Sequence, residues 1–167
     1  LKGDGNTAFV SNWGGRRAKP GDRTAKSSGT DTVVDERTVA ASGTVSVVDL
    51  AQGKETAQIT TGLHPSDLEL SSDKRTLYVA NANSDTVSVI DTASRAVKDS
   101  VLVRPDPTLP FGSAPGGLAM GKDGKTLFVA NGGNNAVATI SLGAQNNVEG
   151  FIPTAWYPGA VATDGKH

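Results

Sequence analysis

Asp73-Lys-Arg-Thr-Leu-Tyr-Val-Ala-Asn81 recurs as Asp123-Gly-Lys-Thr-Leu-Phe-Val-Ala-Asn131, precedes itself as Asp4-Gly-Asn-Thr-Ala-Phe-Val-Ser-Asn12, and begins again at Asp164-Gly-Lys166. The leading aspartates are spaced by 69, 50 and 41 residues. A period near forty residues belongs to propeller blades or to helical arrays, and the flanking residues separate the two. Asp67-Leu-Glu-Leu-Ser71 alternates, the segment after Asp73 turns, and Leu77 to Asn81 is a short run of strand formers. Thr86-Val-Ser-Val-Ile-Asp91 then places Val87, Val89 and Asp91 on one face and Ser88 and Ile90 on the other. A fourth strand follows from Ala96 to Val103, in which strict alternation sets Val97 and Val101 opposite Lys98. No stretch of ten residues carries a helical period, so the repeat is a blade of four antiparallel strands.

Composition agrees. Twenty glycines and eight prolines disfavour long helices. Sixteen basic against seventeen acidic side chains leave a net charge of −1, which supplies no global field for nucleic acid or an anionic membrane. No apolar run approaches the roughly 20 residues of a membrane span. Without cysteine there is neither a disulfide framework nor a thiolate metal site. Thr44-Val-Ser-Val-Val-Asp49 and Ala136-Val-Ala-Thr-Ile-Ser141 align with Thr86 to Asp91, while Pro65, Pro115 and Pro158 open the inner strands, where a missing N–H is tolerated. The Asp-Gly turns supply the positive φ of tight hairpins, and their aspartates read as turn formers rather than metal ligands.

The expectation is an all-β, incomplete β-propeller of about three to four blades spanning 1–167, with blade segments 1–62, 63–112, 113–155 and 156–167 and an insertion loop over 13–43. Against a 42-residue blade the first repeat carries 27 extra residues between its second and third strands, and the second repeat carries 8 extra before the next blade. Both insertions emerge at the same end of a propeller. One end is elaborated and the other plain, which is how a scaffold presents a binding surface.

Candidate binding residues follow. The insertion opens with Arg16, Arg17, Lys19, Arg23 and Lys26 against only Asp22, and continues with Asp31, Asp35 and Glu36 against Arg37. It is either a solvated loop neutralised by weak internal ion pairs or a docking surface for an anionic group or another domain, since arginine grips phosphate or carboxylate by two bonds. The residues before the strand-opening prolines are His64, Ala114 and Tyr157, preceded by Leu63, Ser113 and Trp156. His64 reads as structural or solvated, with a ligand role as the alternative. Trp156 and Tyr157 read as packing between blades or beneath the long loop, with ligand contact as the alternative. Arg104-Pro-Asp106-Pro107 reads first as a rigid extended loop. No catalytic motif and no metal or cofactor site is expected in this chain.

Leu77-Tyr-Val-Ala-Asn81 followed by Asp85-Thr-Val-Ser-Val-Ile-Asp91 resembles the YVTN class of β-propeller repeats across essentially the whole chain. Ser11-Asn-Trp-Gly-Gly-Arg16, Ser42-Gly-Thr-Val-Ser-Val47, Arg104 to Gly112 and Gly150 to Pro158 together resemble bacterial propellers joined to a phosphoesterase domain of the alkaline phosphatase superfamily. The resemblance implies a non-catalytic propeller within a larger secreted, periplasmic or extracellular phosphoesterase, which orients substrate or docks a catalytic domain lying beyond His167. The alternative is a stand-alone periplasmic or cell-surface interaction propeller. A propeller hydrolase of lactonase type would need metal ligands at the axis, where only Asp67 and Glu69 are offered. A segment of this size would expose blade edges, so the expected partners are missing blades, a complementary chain or the phosphoesterase domain, with self-assembly through open edges as a further possibility. Neither nucleic acid nor a membrane span is expected.

Overall fold

The strand formers around each repeated phrase assemble into three antiparallel sheets and one hairpin in the computed structural model, which describes residues 5–164. Asp4 and His167 lie outside the described residues. The first sheet pairs β1 (Thr7–Asn12) with β4 (Gly43–Asp49) and β4 with β5 (Lys54–Thr61). The second runs β6 (Pro65–Leu70), β7 (Thr76–Asn81), β8 (Thr86–Asp91), β9 (Ala96–Leu102) in chain order, and the third β10 (Pro115–Met120), β11 (Thr126–Asn131), β12 (Ala136–Ser141), β13 (Asn147–Pro153). These are the expected four-stranded antiparallel blades of an incomplete propeller, the first showing three of its strands among the described residues.

The second sheet is apolar on both faces because it is packed on both sides. Leu77, Val79 and Ile90 meet Val45, Val47 and Ile59 of the first sheet. Val87, Val89 and Val101 meet Leu118, Leu127, Val129 and Ile140 of the third. Leu77, Ile90, Leu127 and Ile140 are fully buried, each worth about 1.5–3 kcal/mol relative to exposure.

Val97 and Val101 do not share a face. Val97 pairs with Ile90 and Val101 with Val87, and a bulge at Lys98 lies between them. An extra residue inverts the alternation of everything beyond it, which leaves Val97 41% exposed and Val101 buried. Equivalent shifts skip Thr56 and Glu149 in the other sheets, so the bulge belongs to the blade design.

Asp67 and Glu69, weighed above as axial ligands, are engaged otherwise. Their carboxylates accept the backbone N–H groups of Leu118 (2.8 Å) and Met120 (3.1 Å), joining β6 to the inner strand of the next blade. The insertion is also more ordered than a loop. Thr24-Ala-Lys-Ser-Ser-Gly-Thr-Asp-Thr-Val33 forms a hairpin of β2 (Thr24–Ser27) and β3 (Thr30–Val33), and Arg17 bridges to Thr32. Ser28 (φ 49°) and Gly29 (φ 83°) make its turn, and positive φ at both central residues matches the right-handed twist of the flanking strands.

Candidate functional site

At the elaborated end the residue before each strand-opening proline is left-handed: His64 (φ 55°), Ala114 (φ 49°) and Tyr157 (φ 41°). Side chains with a Cβ avoid this region, so each must be held. The carbonyls of Leu63 and His64 accept the N–H groups of Asn83 and Ala82, and those of Ser113 and Ala114 accept the N–H groups of Gly133 and Gly132. A side chain from the preceding blade acts from the other side. Asp85 accepts the N–H groups of Gly112 (2.8 Å) and Ala114 (3.2 Å), and Asn135 accepts that of Tyr157 (2.8 Å). Asp85 and Asn135 occupy the same place before β8 and β12, where the first repeat has Gly43 and no side chain to offer. There the insertion substitutes: Trp13 packs on His64 with ring centroids 4.2 Å apart and planes tilted by 31°.

Asp85 is fully buried, and Arg104 Nε donates to its Oδ2 at 3.1 Å. Arg104 Nη1 donates to the carbonyls of Leu109 (2.7 Å) and Pro107 (3.4 Å), while the Asp85 carbonyl accepts the N–H of Val103. One buried aspartate thus fixes both ends of the crossover, its carbonyl at Val103 and its carboxylate at Arg104, Gly112 and Ala114. Asp106 is occupied by its own turn, accepting the N–H (2.8 Å) and hydroxyl (2.7 Å) of Thr108, bonds that hold its carboxyl below the ordinary value.

Among the insertion cations, Arg16 grips Asp22 with two bonds of 2.7 Å. That pair and the Lys19 N–H hold the Asp22 carboxyl well below the usual carboxylate range. Lys26 pairs with Asp31 at 2.9 Å and Arg37 with Asp35 at 2.6 Å. Arg23 reaches the carbonyl of Glu36 at 3.4 Å. Arg17, Lys19 and Arg23 make no ion pair among the described residues. Burial lowers the His64 pKa from its ordinary value. Tyr157 lays its ring against Gly132 while 58% exposed, and Trp156 is 85% exposed. The carbonyls of its counterparts Leu63 and Ser113 accept the N–H groups of Asn83 and Gly133.

Two hollows open between the insertion and the crossovers. One, of about 470 Å³, is lined by Arg37, Val39, Leu63, Asn83, Arg104 and Phe111. The other, of about 390 Å³, is lined by Trp13, Lys26, Thr32, Val34, Thr38 and His64. A larger hollow of about 660 Å³ lies against the outer strands and includes Tyr78, Asp91, Lys98, Asp99 and Asn146. No three of His, Asp and Glu stand together as metal ligands among the described residues.

The YNCE-like beta-propeller family matches residues 25–111, just over half of the chain. The chain belongs to the YNCE-like β-propeller family. Similar solved structures include Kuenenia stuttgartiensis hydrazine synthase, 28% identical with a TM-score of 0.63 over 76% of this chain and 37% of that one. The dihydro-heme d1 dehydrogenase NirN in complex with DHE is 16% identical with a TM-score of 0.57, over 70% of this chain and 24% of that one. A functionally unknown protein from Desulfotomaculum acetoxidans is 15% identical with a TM-score of 0.53, over 71% of this chain and 37% of that one. The chain spans well under half the length of each. No curated protein sequence matches.

In this YNCE-like propeller the site sets two of the candidates against residues that were not among them: His64 against Trp13 of the insertion, and Arg104 against Asp85. It does not bring Arg17, Lys19, Arg23 or Trp156 into either hollow. Asp85 was not among the candidates, standing in the sequence only as the first residue of Asp85-Thr-Val-Ser-Val-Ile-Asp91. Its signal is the acid, amide and glycine at equivalent places, Asp85, Asn135 and Gly43, each beside a strand that keeps its alternating pattern.

Proposed function

We propose that the chain, a propeller scaffold or binding module, presents its elaborated end as the docking face of a larger secreted bacterial phosphoesterase, against which a catalytic domain or its substrate is oriented. The observation that carries this reading is the gathering of non-repeat phrases at one end, Trp13 against His64 and Arg104 against Asp85. Further support comes from the resemblance of those phrases to phosphoesterase-linked propellers, and from the small share of each similar structure that the chain spans. Aromatic and arginine side chains held on a rigid scaffold are what an interface core requires.

The test is made in the full-length protein by replacing residues 13–43 with the short Ala-Asn-Ser-Asp loop of the second repeat. The expected result is a retained cooperative unfolding transition with loss of domain association or of phosphoesterase activity. Unchanged association and activity would overturn the docking role and favour a stand-alone interaction propeller at the periplasm or cell surface.

A further inference from the structure

We infer that the hollow at Arg37 and Arg104 receives a carboxylate-bearing apolar segment of a partner protein. This rests on the reading of the elaborated end as a docking face and names what docks there. Val39, Leu63 and Phe111 provide apolar lining, and Phe111 is 57% exposed. Both charged residues of the hollow are arginines and no acidic residue lines it. Arg37 uses Nε and Nη2 on Asp35, and Arg104 uses Nε on Asp85 and Nη1 on two carbonyls. Each therefore keeps one Nη group, Nη1 of Arg37 and Nη2 of Arg104, with no protein partner among the described residues. Neither Asp35 nor Asp85 lines the hollow, so the two acids compensate and fix the guanidinium groups while the remaining Nη N–H groups are left as donors. The hollow beside the outer strands is different, mixing Lys98 with Asp91 and Asp99.

An extended chain segment fits better than a small anion. The second hollow adjoins the first, because Leu63 and Val39 of one are neighbours of His64, Thr38 and Ala40 of the other. It too carries a basic side chain, Lys26, whose partner Asp31 lies outside the lining, beside the exposed Trp13. An alternating acidic and apolar strand would place carboxylates on the cations and side chains on Phe111, Leu63 and Trp13. Guanidinium and carboxylate pair by charge-assisted bonds, and aromatic and arginine residues dominate interface energetics.

The probe is a fluorescently labelled, acetylated peptide of alternating Glu and Leu, titrated by anisotropy into the full-length protein beside its Gln–Leu and Lys–Leu counterparts. The Glu–Leu peptide is expected to bind and the Gln–Leu peptide to bind about tenfold or more weakly, as when charge-assisted bonds are removed. Arg37→Glu, at an exposed side chain and with retained cooperative unfolding as the control, is expected to weaken the Glu–Leu peptide by about tenfold or more and to favour the Lys–Leu peptide. Phe111→Ala is expected to weaken binding by about tenfold as the loss of an apolar anchor. Equal binding of the Gln–Leu peptide, indifference to both substitutions, or displacement by free glutarate at the peptide's own concentration would each overturn the inference, the last by making this a small-anion site. If excising the insertion releases the catalytic domain while Arg37→Glu and Phe111→Ala do not, the docking reading stands and this inference fails. If the peptide behaves as expected but excision leaves domain association intact, the inference stands and the docking reading fails.

Discussion

The two ends of the second blade use aspartate in opposite ways. At the plain end Asp73 bonds the hydroxyl of Ser71 (2.7 Å) and the N–H of Arg75 (3.0 Å), two residues away on either side. Asp123 does the same with Lys125 and Thr126. At the elaborated end Asp85 is buried and gathers Arg104, Gly112 and Ala114, which lie 19 to 29 residues along the chain. A turn aspartate is satisfied by its own neighbours and shapes a few residues. A buried one must recruit partners or be prohibitively desolvated, so it shapes whatever it recruits. The plain end can thus be built from local rules, whereas the elaborated end is a set of long-range bargains between loops.

The sharpest way to break this contrast is to remove the buried acid. Asp85→Ala leaves Arg104, whose side chain is 17% exposed, unpaired and two amides unsatisfied, and is expected to cost about 3–5 kcal/mol in denaturant unfolding. Asp85→Asn imitates Asn135 of the next blade and should fall between that variant and the native chain. A loss below about 1 kcal/mol for Asp85→Ala, the scale of a surface pair, would put the two ends on the same footing.

A smaller effect of opposite sign sharpens the plain end. Lys74 has φ 59° where the third repeat has Gly124 at φ 64°. Lys74→Gly should therefore stabilise by about 0.5–1 kcal/mol, because the side chain is strained in the left-handed region by more than the entropy that glycine loses. A destabilised Lys74→Gly protein would show that the lysine side chain contributes to packing.

The smallest effect concerns pH. Burial lowers the His64 pKa from its ordinary 6.5, so below that pH the unfolded chain binds more protons than the folded one. Its contribution is complete above about pH 6.5 and is lost as pH falls through the lowered folded value. The turn carboxylates are held below their ordinary values and stay ionised through this range. Between pH 7.5 and 5.5 the thermal midpoint should fall slightly more for the native chain than for His64→Gln, and parallel profiles would show that Trp13 and His64 stack without regard to charge.

Much of the fold was legible. Leu77 to Asn81 and Thr86 to Asp91 carry their strand character in period two, and Asp-Gly-Lys carries its turn. Counting along the repeat also placed both insertions at one end. The split of Val97 from Val101 was hidden, because a bulge leaves no mark in composition. The hairpin within the insertion was visible only as Ser28-Gly29 between threonine-rich segments. Of the site, Arg104 and His64 were legible as departures from the repeat, but their partners were not.

Asn12, Asn81 and Asn131 close the point. The amides of Asn12 and Asn81 donate to the Thr and Ser hydroxyls of the adjoining strand, Thr44 with Ser46 and Thr86 with Ser88. The third repeat has Ala136 and Ala138 there, and Asn131 turns to the carbonyl of Val103 at 2.6 Å. Sequence by itself determined the strands, the turns and the end on which the chain is elaborated, because alternation and turn chemistry act over a few residues. Tertiary structure alone decided that Asp85 anchors Arg104, that Trp13 rests on His64 and that Asn131 holds the preceding crossover. The two hydrogen bonds need their partners within about 3 Å and the ring contact needs centroids 4.2 Å apart, and packing of the blades is what brings these distant segments together.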